Sequence, residues 1–207
     1  MGTSEKAMIT IKNTLEIVNN SILILKDLDQ LFEKEGFFPT DTKIGCEPSK
    51  NINQNSNSYL RFFPLFMSRY YYNGKVDEGE KQDQYVFGVN IQFYHRQENL
   101  ELIPSLSATL IKLTRSFSKM PRPESWWIKY ILFEDQDRLA GENFQHQDDF
   151  ILDGRKYTFT NRKHNKINNH TFTFWGYELM DVKNVEFLQD KYVSRLIEEY
   201  NSVSMEM

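Results

Sequence analysis

Between Tyr85 and Arg96 the chain alternates. Tyr85, Phe87, Val89, Ile91 and Phe93 take the odd positions, while the even ones turn to Asn90, Gln92, Tyr94 and Arg96. A period of two predicts a strand with one buried face and one face offered to polar surroundings. Glu5 to Glu35 follow a different period. Ile11, Val18, Leu25 and Phe32 recur every seven residues, and Leu15, Ile22 and Leu28 or Asp29 fill the neighbouring row. That spacing predicts one long helix, stopped at Gly36. A helix of this kind can lie across a sheet or pair with a second copy of itself, and packing within the domain is the better reading.

The remaining pattern completes an element order. Thr40 to Ser58 is polar, with Pro48 and Asn-Ser repeats, and predicts a flexible loop. Tyr59 to Tyr72 predicts a strand, with Pro64 inside it marking an edge or a bulge. Leu106, Leu110, Leu113 and Phe117 predict a helix from Pro104 to Ser118, with the proline in its first turn. Trp126 to Glu134 is apolar on both faces and predicts a central strand. Asp153-Gly154, inside Ile151 to Lys156, predicts a tight hairpin, because such a turn needs positive φ angles. Strands Lys156 to Arg162 and Thr171 to Met180 follow, then a helix capped by Asn184 and ending near Asn201. The expected fold is α+β: residues 1–207 as a single domain, with a five- to six-stranded, mainly antiparallel sheet and three helices packed on one face. Residues 40–58 form its expected loop and 202–207 a frayed tail.

Charge narrows the function classes only a little. Basic and acidic residues number 25 and 29, are mixed along the chain and leave a net charge of −4, unlike the clustered basic surface of a dedicated nucleic-acid binder. Cys46 is the single cysteine, which excludes an internal disulfide and fits a reducing compartment. The longest apolar run near the start, Ile22 to Leu25, is too short for a signal peptide, and no run approaches the ~20 residues of a membrane span. A cytoplasmic protein without a membrane partner is the expectation.

Candidate chemistry falls in four places. Asn90, Gln92, Tyr94 and Arg96 share one face of their strand, and Arg69, Tyr71 and Trp175 of neighbouring segments can extend it. Amides, hydroxyls, arginine and aromatic rings together stack on and hydrogen-bond a peptide, sugar or base. Arg155, Lys156, Arg162, Lys163 and Lys166, interleaved with Tyr157 and Phe159, form a basic hairpin suited to a nucleic-acid backbone, or simply to keeping a sheet edge soluble. Glu134, Asp135, Asp137, His146 and Asp149 can hold Mg²⁺ or Mn²⁺ for phosphodiester hydrolysis. His164 and His170 flank a turn, but a structural zinc needs four ligands and only Cys46 could add sulfur. Neither a phosphate-binding loop nor a dinucleotide glycine fingerprint is present, and no cofactor is expected. The preferred function is a non-enzymatic binding protein using Arg69, Tyr71, Asn90, Gln92, Tyr94, Arg96, Arg162 and Trp175, with a protein partner ahead of nucleic acid. A metal-dependent phosphodiesterase and a homo-oligomeric assembly subunit are the alternatives.

Overall fold

Seven strands join edge to edge into one antiparallel sheet, in a computed structural model that describes residues 2–40, 42, 44–46, 64, 66–74, 85–93, 103–112, 152–160 and 171–204. In chain order these are α1 (Thr3–Lys34), β1 (Phe37–Pro39), β2 (Gly45–Cys46), β3 (Phe66–Asn73), β4 (Tyr85–Gln92), β5 (Ser105–Lys112), β6 (Tyr157–Thr160) and β7 (Thr171–Glu178). A short 3-10 turn, Leu179–Asp181, leads into α2 (Val185–Leu188), a wide π turn (Gln189–Val193) and α3 (Ser194–Ser204). Across the sheet the order is β1-β3-β4-β5-β7-β6, with β2 also paired to β3. The class is α+β, with the helices on one face.

Three expectations need correction. Pro104 to Ser118 is not a helix where the structure describes it: Ser105–Lys112 is β5, paired with β4 on one side and β7 on the other. Leucines at positions 106 and 110 satisfy both periods, because a step of four is even. The intervening residues decide. Ala108 shares a face with the two leucines, while Ser105, Ser107 and Thr109 alternate onto the other, and β-branched Thr109 and Ile111 favour the pleated backbone. Pro64 lies before the strand rather than within it, since β3 begins at Phe66. Gly45–Cys46 also pairs with β3, inside the segment expected to be a loop.

Asp153-Gly154 departs from its expected role as well. Asp153 bridges Tyr177, and four residues later Tyr157 pairs with Phe174, only three residues back along β7. The extra residue makes a bulge in an edge segment instead of a reversing hairpin. Gly154 takes φ +85°, and its N–H donates to the Gly176 carbonyl at 3.0 Å. Trp126 to Glu134 lies outside the described residues.

Register assigns each strand residue to a face, because directly opposed residues project the same way. Met67, Arg69 and Tyr71 align with Ile91, Val89 and Phe87 of β4, then Leu106, Ala108 and Leu110 of β5, and Tyr177, Trp175 and Thr173 of β7. These look toward the helices. Leu25, Leu28, Leu31 and Phe32 of α1, with Leu188, Tyr192, Val193 and Leu196 of the C-terminal helices, close over them to form the core. Tyr192 donates its hydroxyl to the Leu106 carbonyl at 2.8 Å, and the Trp175 Nε1–H donates to the Lys191 carbonyl at 2.9 Å. Both bonds tie the π turn to the sheet. Tyr200 of α3 packs edge-on against Phe37, Tyr85 and Phe87.

Candidate functional site

The residues expected to form one binding face are divided between two. Arg69, Tyr71 and Trp175 face the helices, and Asn90 and Gln92 face away. Tyr94, Arg96 and Arg162 lie outside the described residues, as do the acidic candidates Glu134, Asp135, Asp137, His146 and Asp149. Among the described residues no group of three His, Cys, Asp or Glu side chains could hold a metal ion.

Arg69 and Tyr71 converge on one carboxylate. The Arg69 guanidinium donates through Nε to Asp29 Oδ1 at 2.9 Å and through Nη2 to Oδ2 at 2.8 Å. Tyr71 donates its hydroxyl to Oδ1 at 2.8 Å. This bidentate pair explains why a charge interrupts the apolar row of α1 at Asp29: the helix docks on the sheet there by an ion pair rather than a leucine. Burial pushes the Tyr71 hydroxyl well above the ordinary tyrosine range, and the Asp29 charge adds to the shift. The cluster is a structural joint between α1 and β3.

Trp175 is 0 % exposed and has a structural place too, against the C-terminal helices. The guanidinium of Arg195 lies over its ring at 4.2 Å and donates to the Gly154 carbonyl at 2.6 Å. The described part of the basic hairpin is tied down too. Lys156 pairs with Glu199 of α3 at 2.7 Å, and Arg155 with Asp153 at 3.4 Å. These acids offset the cations that a phosphate backbone would need.

The second face of the sheet sets polar residues among buried apolar ones, Phe66, Tyr70, Val86, Ile111 and Phe174, and is not open. Asn90 is 1 % exposed and Gln92 0 %, and Ser68, Ser105, Ser107 and Thr109 around them are buried. Ser68, Asn90, Ser107 and Gly176 form one transverse row of small or polar residues across four strands. Asn90 Nδ2 donates to Gln92 Oε1 at 3.1 Å, while Asn90 Oδ1 and Thr109 Oγ1 find no hydrogen-bond partner among the described residues. Gly88 sits beside this row because a methyl there would meet Thr109 at 2.8 Å and the Tyr70 ring at 3.0 Å.

A further apolar surface lies on α1, the helix whose spacing also allows pairing with a second copy. From Gly2 to Ile17 every residue of the α1 region except Thr14 is exposed. Met8, Ile11 and Leu15 stand 51 %, 61 % and 65 % exposed, in a row that Val18 and Ile22 continue toward the core. The buried residues Ser21, Leu25, Leu28 and Phe32 lie on the adjoining flank. The signal was present in the length. A helix of 32 residues is about 48 Å long, whereas an eight-residue strand spans only about 27 Å. Half of α1 therefore overhangs the sheet, and its apolar row continues along the overhang.

Compared with known proteins, the chain matches no family model, no curated sequence and no solved structure. No helix among the described residues is long and apolar enough to cross a membrane.

Proposed function

We propose that this chain is a non-enzymatic interaction protein whose partner is another protein, docked on the overhanging half of α1. The observation that carries the reading is the exposure of Met8, Ile11 and Leu15 at helical spacing. A row of large apolar side chains on one helix face suits a helix-in-groove or helix-pair contact. The rest of α1 is anchored in the core and by the Asp29–Arg69 pair, so the docking helix is presented rigidly.

Replacing Ile11 and Leu15 together with glutamate tests it. The double variant should keep the wild-type thermal midpoint to within about 2 °C, because neither side chain is buried. It should lose the association seen with the unmodified chain, whether a partner retained from the native host or a faster-sedimenting complex. An interaction profile unchanged by both substitutions would rule the surface out.

The polar second face supports a second reading, a ligand-contacting floor built on Asn90 and Gln92. What favours it is the pair of buried oxygens, Asn90 Oδ1 and Thr109 Oγ1, that find no partner among the described residues. Thr109→Val separates ligand use from a cost carried by the fold. A hydroxyl with no partner costs about 1–3 kcal/mol to bury, so the variant should unfold at a higher temperature. If the floor holds a polar ligand, the wild type but not the variant should also show co-purified small-molecule mass in native mass spectrometry. Equal mass in the two proteins would leave Thr109 with no ligand role.

A further inference from the structure

We propose that the partner on the α1 overhang is a second copy of this chain, the two overhanging helices pairing antiparallel; this rests on the docking reading above. Charge is the first argument. From Gly2 to Ile17 the helix carries Glu5, Lys6, Lys12 and Glu16, a neutral set without the basic cluster that an anionic lipid surface or a nucleic acid would require. Such a set complements itself. If Met8 and Ile11 form the apolar row at the centre, Glu5 and Lys12 flank that row one heptad apart on the same side. Antiparallel pairing centred on Met8 and Ile11 brings Glu5 of each copy opposite Lys12 of the other, twice by symmetry. Parallel pairing instead puts Lys12 beside Ala7 of the second copy and leaves Glu5 unmatched.

Shape agrees. The opposite flank of the row carries Ala7 and Thr14, small enough for a second helix to approach closely. The Thr14 hydroxyl donates to its own helix, at the Thr10 carbonyl at 2.9 Å, so a covering helix does not leave it stranded. The exposed length from Gly2 to Ile17 is about 24 Å, and antiparallel overlap over that length keeps the two sheets at opposite ends. A contact of two helices this short falls at or below the lower limit of stable interfaces, about 1,200 Å² in total. The pair is a weak, isologous dimer that forms in the micromolar range.

Sedimentation velocity over a concentration series from low to high micromolar tests this on the full chain. The wild type should shift from monomer to dimer, and Ile11→Glu should raise the dissociation constant at least tenfold with an unchanged circular dichroism spectrum. Lys12→Glu, which sets glutamates at positions 5 and 12 face to face, should weaken the dimer about fivefold. Adding Glu5→Lys to that variant should restore it, an outcome that a contact with an unrelated partner does not produce. A wild type that stays monomeric at every concentration overturns the second copy as occupant. In that case the docking reading stands if a host protein is retained by the wild type and lost from the Ile11→Glu, Leu15→Glu variant, and falls if none is. A dimer that resists Ile11→Glu, or one the charge exchange fails to rescue, overturns the proposed pairing.

Discussion

Asp29 shows how a single side chain can be misread from its position alone. On a helical wheel it interrupts an apolar row, and Arg69 and Tyr71 read as polar groups available to a ligand. In the fold the three satisfy one another across the α1–β3 junction. Removing one member should therefore be costlier than removing the charges together. Asp29→Ala takes the shared acceptor from a guanidinium and a hydroxyl that are both largely buried, and should lower stability by about 2–4 kcal/mol. The double change Asp29→Leu with Arg69→Met should cost less than the single one, because it leaves no unmatched ion. Urea denaturation of the two variants decides the order. A double variant less stable than Asp29→Ala would mean that the pair contributes net stability beyond mutual neutralisation.

At the scale of elements, the bulge at Asp153-Gly154 makes the sharpest claim. Gly154 has φ +85°, and an added methyl would collide with the Tyr177 ring. Gly154→Ala should thus lose about 2–3 kcal/mol through backbone strain and overpacking, read as a drop in thermal midpoint. A near-neutral result would show that the edge segment relaxes away from β7. The same segment marks the limit of what could be read from the chain. Asp-Gly signals positive φ, and that part was legible; whether the chain then reverses or merely kinks depends on register with β7, which is a long-range matter. Strand Tyr85–Gln92, the long first helix and the helix capped by Asn184 were legible because their periods admit one reading; the Asn184 side chain accepts from the Phe187 N–H as expected. Ser105–Lys112 was not, since its leucines fit two periods. The surroundings of the candidate site residues were less legible still. Alternation in β4 separates its two faces but cannot reveal that the polar one is covered, as the burial of Asn90 and Gln92 shows.

For the molecule as a whole, two tyrosines couple the helical layer to the sheet, Tyr71 through Asp29 of α1 and Tyr192 through the Leu106 carbonyl. Burial raises both hydroxyls well above the ordinary value of about 10. Above that pH the unfolded chain releases protons that the folded one retains, so fewer protons are bound unfolded and stability must fall as pH rises. The contribution is complete below about pH 10 and is lost as pH climbs through the raised folded values. Chemical denaturation at a series of alkaline pH values should show this decline, and Tyr71→Phe should flatten it. An identical slope in the variant would assign the loss to other groups. The order of the chain adds a temporal consequence. Phe37 and Phe87 are covered by Tyr200, and Trp175 by Arg195 and the turn at Lys191, all of which are made later than the residues they cover. At roughly 5–20 residues per second, a ribosome takes about 8–33 s to travel from Phe37 to Tyr200. Over that interval the sheet's aromatic face has α1 but not yet its second cover, and it exposes apolar surface of the kind that makes a folding chain prone to aggregate.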